Sequence, residues 1–219
     1  MRGGGAVYSG PGAASIVKWP EDPGASSILA LTIVISLIGL FSRRFLERTV
    51  LRPYTLVRSG GYVTLVTSGF VHAGFGHLIL NLITFYSFAF PLERTIGTTK
   101  FVVLYFTGLL VSGLGTCFKH RDEPDYASLG ASGAILAVLF ASIVYFPHLR
   151  LFIVPIPLPI PGPLFAVAYL AYSHYSSRHS KGRINHDAHI SGALSGIAFV
   201  ALADPGRFRA LLDSVSHSL

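Results

Sequence analysis

Six apolar segments, separated by short polar or glycine-rich stretches, run through this sequence of 219 residues. A helix needs roughly 20 apolar residues to cross the hydrocarbon core of a bilayer, and several segments approach that length. The shorter ones, the fifth above all, need local thinning of the bilayer or burial among neighbouring helices to cross it. The pattern predicts an all-α, polytopic membrane protein with a bundle of six transmembrane helices. The segments are Ser27 to Phe41, Leu78 to Leu92, Phe101 to Phe118, Leu129 to Phe146, Leu164 to Tyr175 and Ala188 to Ala203.

The composition supports the lipid bilayer as the main partner of the chain. Hydrophobic residues make up 51% of the sequence and charged residues only 12%, which leaves little material for the exterior of a water-soluble domain. The formal net charge is +7, but the basic residues are spread between the apolar segments, so nucleic acid is not an expected partner. Cys117 is the single cysteine, which excludes an intrachain disulfide.

The chain divides into a long central domain and two short ends. Residues 1–26 are rich in glycine and proline and lack the features of a cleaved signal, so we expect a flexible N-terminal tail. Residues 27–204 hold the six-helix transmembrane domain, and residues 205–219 form a short C-terminal tail. Proline occupies every second position from Pro155 to Pro163, which predicts an extended connector that ends in the first turn of the fifth helix.

Basic residues near the spans bear on the orientation of the chain. If the N-terminus lies in the cytoplasm, the segments outside carry more lysine and arginine than those inside, so the positive-inside rule favours the opposite orientation. The stretch from Arg43 to Arg58 mixes arginine with apolar residues and predicts an amphipathic segment at the interface, which softens the conflict. The residues outside would be Arg43, Arg44, Arg48, Arg52, Arg58, Lys119, Arg121, Arg178, Lys181 and Arg183, and those inside Arg2, Lys18, Arg94, Lys100, Arg150, Arg207 and Arg209.

Three polar clusters lie within or at the ends of the spans, where polar side chains are costly and therefore candidates for function. In the second span, His77 and Asn81 are four residues apart and share one helix face. The fourth span opens with Gly-Ala-Ser-Gly, which puts Ser132 at a helix N-terminus that favours developing negative charge. The sixth span contains His189, followed by Gly192 and Gly196.

Small residues indicate how these clusters meet. The glycines after His189 leave one face of the sixth helix free of bulk. A matching stripe on the fourth helix consists of Gly130, Gly133, Ala134, Ala137 and Ala141. We expect the two helices to pack closely here and to bring Ser132 within hydrogen-bond reach of His189, as the activation of a hydroxyl nucleophile requires.

The three clusters, in this order, resemble the pattern of the rhomboid family: H-x-x-x-N in the second helix, G-x-S-G at the fourth, and A-H-x-x-G-x-x-x-G in the sixth. The resemblance covers roughly Tyr62 to Asp204, and it includes Glu93 and Arg94 before the third helix. It implies an intramembrane serine endopeptidase that works without a metal or an organic cofactor. Its expected substrates are transmembrane segments of other proteins, cut near small residues.

The resemblance also implies roles for individual residues. Ser132 would be the nucleophile and His189 the general base, in a dyad without a carboxylate. The Ser132 amide, His77 and Asn81 would form the oxyanion hole. Two departures concern the first loop, where Val63 and Thr64 replace a Trp-Arg pair, and Leu136, which replaces an aromatic residue that in some members stacks on the catalytic histidine. Weak or substrate-limited activity is the expected consequence.

Other interpretations remain open. Taken singly, each residue has a structural interpretation. Ser132 would be a serine at a helix contact, His77 and Asn81 would form an interhelical hydrogen-bond pair, and His189 would be a buried neutral histidine. A rhomboid relative without activity would bind membrane clients, and a small transporter would show an internal repeat. A metal site at His186, Asp187 and His189 is disfavoured, because the sequence contains neither H-E-x-x-H nor a dense HxxHH array. An aspartyl intramembrane protease is also disfavoured, because it needs two aspartates within spans, whereas Asp187 and Asp204 lie at span ends.

Two further expectations concern the periphery and the location of the chain. We expect a solvated loop face that contains His174, Arg178, His179 and Lys181. Because the sequence shows no obvious organelle-targeting extension, the expected location is a bacterial inner (plasma) membrane.

Overall fold

The computed structural model describes residues 22–153, 156–179 and 184–216. Helices dominate these residues, as the sequence predicts, and one short hairpin joins two of them. The elements are α1 (Pro23–Phe41), α2 (Arg43–Thr49), α3 (Pro53–Ser59), α4 (Thr64–Thr67), a 3-10 turn (Ser68–Phe70), α5 (Phe75–Ile96), α6 (Thr98–His120), α7 (Ser132–Tyr145), β1 (Arg150–Ile153), β2 (Ile156–Pro161), α8 (Gly162–His179), α9 (His186–Ala203) and α10 (Pro205–Ser216).

Each of the six predicted spans is a helix: α1, α5, α6, α7, α8 and α9. Among the described residues, α1, α5 and α6 are long enough and apolar enough to cross a bilayer individually. Helix α9, with 18 residues, is long enough and apolar enough only when taken together with α10, across a bend of 111°. Helix α7 has only 14 residues. The bundle therefore contains short helices that depend on their neighbours, as expected for the shorter segments.

Helix α7 is short and forms the centre of the bundle. All its residues from Gly133 to Tyr145 are buried, and α5, α6 and α9 pack around it. Side chains on the outer faces of the surrounding helices are apolar and exposed, for example Leu31, Ile83 and Leu114. An apolar exterior around a packed interior is the arrangement expected of a protein whose solvent is lipid.

The predicted contact between the fourth and sixth spans is confirmed at Gly133 and Ala137, whereas Gly130 lies in the turn before α7 and contacts His77 instead. A side chain on Gly192 would collide with the carbonyl oxygen of Gly133, and one on Gly196 with that of Ala137. The backbones of α7 and α9 therefore touch directly, which only glycine at these two positions of α9 permits.

Helix α1 begins earlier than expected and is anchored at its start. Residues 23–26, predicted as part of the tail, form its first turn, while residues 1–21 lie outside the described residues. The buried Glu93 carboxylate accepts hydrogen bonds from the amides of Gly24 at 2.9 Å and Ala25 at 2.7 Å. Arg94, the next residue, bonds to the buried Asp22 carboxylate at 2.9 Å. The acidic-basic pair at the end of α5 thus holds the N-terminus of α1.

The proline-rich connector is extended, as predicted, but it also pairs with the preceding strand. Strand β2 runs antiparallel to β1, with Leu151 opposite Ile160 and Phe152 opposite Pro159. Prolines at alternate positions remove amide donors from one edge of β2 and leave the donors of the other edge available for β1. Among residues 22–153, 156–179 and 184–216, the regular structure is therefore helical apart from this hairpin and an isolated bridge between Leu51 and Ser128.

Three peripheral segments complete the fold. The arginine-rich stretch after α1 forms α2 and α3, whose arginines are largely exposed. The C-terminal segment, predicted as a tail, contains α10. His174, Arg178 and His179 are exposed, but they lie on α8 rather than in a loop, because the helix continues to His179. Lys181 lies outside the described residues.

Candidate active site

Ser132 and His189 meet where α7 and α9 begin. Ser132 is the first residue of α7, and His189 lies in the first turn of α9. The Oγ atom of Ser132 is 2.8 Å from Nε2 of His189, and both residues are partly buried. The close approach of the two helices through Gly192 brings these side chains together. This geometry allows an imidazole to take the proton of a hydroxyl nucleophile.

An open cavity of about 1100 Å³ lies over the pair. Its wall includes Ser132, His189, His77 and Asn81, so all four predicted site residues line the same space. Near the serine the wall also includes the small residues Ser112, Gly113, Gly130, Gly133 and Ala188, while larger residues such as Leu109 and Tyr126 line other parts. The cavity has room for an extended peptide segment beside the serine.

The His77 ring lies against the turn that precedes Ser132. A side chain on Gly130 would come within 2.7 Å of His77 Cε1, and Gly130 has a φ of +113°. Glycine is therefore needed here for both its conformation and its size. Asn81 uses one amide hydrogen on the His77 carbonyl oxygen at 2.9 Å, which leaves its second hydrogen for another acceptor.

His72 supports the same turn and lies beside His77, with the two ring centroids 4.9 Å apart. It is fully buried, and its Nδ1 lies 2.8 Å from Ser36 Oγ. Because the Ser36 hydroxyl donates to the carbonyl of Phe70 at 2.8 Å, Nδ1 of His72 donates to Ser36 and its Nε2 is the acceptor. That Nε2 faces the amide of Ala131 at 3.5 Å. The contacts link α1 to the peptide next to Ser132, so His72 has a structural role at the site.

Two contacts of α9 were not predicted from the sequence. Asn185 caps the helix by accepting from the Ala188 amide at 3.0 Å, and it donates to Thr116 at 2.8 Å and to Ser128 at 3.0 Å. An asparagine just before an apolar helix is a capping signal that can be read from sequence. The hydroxyl of Tyr169 on α8 lies 2.8 Å from Nδ1 of His189. Nothing local to Tyr169 indicates this second contact.

Charged residues surround the mouth of the cavity. Lys119 pairs with Asp187 at 2.8 Å and donates to the Ser177 carbonyl at 3.1 Å, which joins α6, α8 and α9. Asp187 is thus paired away from His189, although the two are only two positions apart in the sequence. Within the described ranges, the ring nitrogens of His189 contact hydroxyl groups and not carboxylates. The part of the chain that the structure describes contains no group of three His, Cys, Asp or Glu side chains that could hold a metal ion.

Comparisons with known proteins agree with this architecture. A family model for the rhomboid domain matches residues 59–204. RHOMBOID-like protein 12, mitochondrial, of Arabidopsis thaliana is 25% identical over 197 residues, which cover 83% of this chain and 58% of the relative. Rhomboid protein 1, mitochondrial, of Saccharomyces cerevisiae is 27% identical over 176 residues, which cover 77% and 50%. A rhomboid relative from Bacillus subtilis is 35% identical over 120 residues, which cover 53% and 59%.

The chain therefore spans about half the length of these relatives. The matched region contains both helices that carry Ser132 and His189, together with α5 and its His77 and Asn81. Because the family model covers more than half of the chain, and because the helical membrane bundle agrees with it, this protein belongs to the rhomboid family.

Proposed function

We propose that the protein is an intramembrane serine endopeptidase with Ser132 as nucleophile and His189 as general base. The observation that carries the proposal is the 2.8 Å contact between Ser132 Oγ and His189 Nε2 beside an open cavity. Membership of a family that consists largely of such proteases supports it.

The reaction follows the logic of a serine hydrolase. Ser132 Oγ attacks the scissile carbonyl carbon while its proton passes to His189 Nε2. The resulting oxyanion accepts hydrogen bonds from the Ser132 amide, His77 and Asn81, and the N-terminal end of α7 favours its negative charge. When the C–N bond breaks, His189 returns the proton to the leaving amine and an ester forms on Ser132. A water molecule, deprotonated by His189, then releases the acyl group.

We propose transmembrane segments of other proteins as substrates. Peptide bonds inside a helix are shielded from attack, so the segment must unwind before its carbonyl reaches Ser132. The small residues along the cavity wall favour an extended chain with small side chains near the cut.

Cleavage of single-span substrates by the purified protein, in detergent or liposomes, tests the dyad. Ser132→Ala and His189→Ala should each lower kcat on the order of 10⁴-fold or more, because neither residue can replace the other. Matched controls are Ser142→Ala, whose hydroxyl bonds within α7, and His148→Ala at an exposed site. Cleavage that persists in the folded dyad variants would refute the assignment.

A rhomboid relative that binds membrane clients without cutting them is the competing function. It predicts that folded wild-type protein leaves a varied substrate panel uncut while crosslinking to some of its members. Cutting by the wild type, silenced by both dyad substitutions, would exclude it.

We further propose a bacterial inner membrane as the location. Of the three relatives described above, two carry mitochondrial names and one comes from a bacterium, so a mitochondrial membrane is the competing location. Fractionation of cells that express the chain at its native level, followed by detection with an antibody, separates the two. Recovery with mitochondrial membrane markers would overturn the bacterial assignment.

A further inference from the structure

The catalytic role proposed for His189 requires one of its two tautomers. To accept the Ser132 proton, Nε2 must present its lone pair, so Nδ1 must carry the hydrogen. In soluble serine hydrolases a buried carboxylate accepts that hydrogen and fixes the ring. Within the described residues the atom opposite Nδ1 is the Tyr169 hydroxyl oxygen, at 2.8 Å.

Tyr169 also contacts the ring itself. The two ring centroids are 6.4 Å apart and their planes differ by 26°, so Tyr169 lies alongside His189 as well as bonding to it. Its own ring is held between Phe165 at 5.4 Å on the same helix and Phe140 at 6.0 Å on α7. A side chain held by packing on two helices can fix the orientation of a third group with little loss of entropy.

Tyr169 packs against the apolar cluster that contains Leu136. Leu136 is the position, four residues after the serine, where some family members have an aromatic residue. An aliphatic side chain there has neither a ring to lie along His189 nor a group to bond with Nδ1. In this chain both the ring contact and the hydrogen bond to Nδ1 come from Tyr169 on α8.

The hydroxyl proton of Tyr169 has a candidate acceptor. If Tyr169 oxygen accepts from Nδ1, its own proton must point elsewhere. Ser173 lies one turn later on the same helix face and is fully buried. Its hydroxyl has no hydrogen-bond partner at standard distance among the described residues, so it is available to accept from Tyr169 after a small rotation.

We propose that Tyr169 is a positioning residue for His189, which accepts the Nδ1 hydrogen and thereby keeps Nε2 free to take the Ser132 proton. This inference rests on the proposed protease function. A neutral phenol orients the imidazole and stabilises the imidazolium through its dipole, without the full charge of a carboxylate. The residue that positions the dyad histidine thus comes from α8, the fifth predicted span.

Tyr169→Phe removes the hydroxyl and keeps the ring, so it isolates the hydrogen bond. The matched control is Tyr175→Phe, which makes the same change on an exposed residue of α8. The first readout is labelling of Ser132 by a fluorophosphonate, in which Oγ bonds to phosphorus, fluoride leaves and the proton passes to His189. Labelling and kcat should fall about tenfold in Tyr169→Phe, with KM and the melting temperature close to those of the wild type. Tyr175→Phe should match the wild type, and an unchanged labelling rate in Tyr169→Phe would overturn the proposal.

A second readout does not depend on activity. The ¹⁵N spectrum of histidine-labelled protein, with the His189 signals identified by their loss in His189→Ala, reports which ring nitrogen carries hydrogen in the neutral form. Hydrogen on Nδ1 in the wild type, with a mixture of tautomers in Tyr169→Phe, is the expected result. Hydrogen on Nε2 in the wild type would overturn the proposal even if Tyr169→Phe fails to fold. If wild-type Ser132 neither labels nor cuts, the protease function fails, whereas the spectrum still tests the contact with Tyr169.

Discussion

At the scale of single residues, the polar groups around Ser132 are arranged by their hydrogen bonds. Ser36 directs the hydrogen of His72 to one ring nitrogen and leaves the other to face the Ala131 amide. Asn81 is partly engaged with the backbone of its own helix and keeps one amide hydrogen for a ligand. Buried polar groups cost stability if they lack hydrogen-bond partners. Most polar groups of this site bond to one another, which offsets that cost.

His77 and Asn81 should contribute to the transition state more than to substrate binding. His77→Ala and Asn81→Ala should each lower kcat about 10²- to 10³-fold with little change in KM, because the oxyanion forms only during the reaction. Steady-state kinetics on one substrate in detergent measures both constants. Ser87→Ala serves as control, since it removes a hydroxyl that bonds within α5 at the Ile83 carbonyl. An increase in KM with unchanged kcat would instead assign the two residues to substrate binding.

At the scale of elements, the ends of helices are held by side chains from distant parts of the chain. Glu93 supplies an anion to the N-terminus of α1, where free amides and the helix dipole favour negative charge. Asn185 performs a similar function for α9 and ties it to α6 and to the loop before α7. Anchored starts of this kind fix the position of each helix along its axis.

Replacing Glu93 with glutamine should destabilise the protein by about 1–3 kcal/mol, because the amide presents one acceptor and one donor group to two backbone donors. Thermal unfolding in detergent measures the loss. Glu47→Gln makes the same change in an exposed pair with Arg43, where about 0.3–0.5 kcal/mol is expected. Equal effects of the two substitutions would mean that Glu93 does not hold α1.

At the scale of the whole molecule, the site depends on the distance between two helices. Ser132 and His189 are 57 positions apart in sequence and meet only because α7 and α9 touch. A small outward movement of α9 would therefore separate the base from the nucleophile while leaving each helix intact.

Gly196→Ala should force the two helices apart, since its side chain would collide with the Ala137 carbonyl. We expect a destabilisation of about 1–3 kcal/mol from overpacking. The rate of Ser132 labelling should fall by at least about tenfold, because displacements near 1 Å can cost on the order of 10² in rate. Gly206→Ala is the control, as its added side chain would meet only the Asp204 carboxylate at an ordinary 3.7 Å. Normal labelling by Gly196→Ala would show that the site tolerates a wider separation.

The sequence by itself determined the helical membrane architecture, the six apolar helices and four of the residues that line the cavity. These follow from local information: runs of apolar residues, the spacing of His77 and Asn81 on one turn, and glycines at helical intervals. The contact between α7 and α9 was also predictable, because small residues on two apolar helices have few other reasons to align.

Only the tertiary structure decided the features that join distant parts of the chain. These include the cap of Glu93 on α1, the pairing of the proline-rich segment with β1, the bend between α9 and α10, and the contact of Tyr169 with His189. A tyrosine in an apolar helix has the same local pattern whether it faces lipid, core or active site. Its partner depends on how α8 is rotated against α7 and α9, which the packing of all three helices sets together.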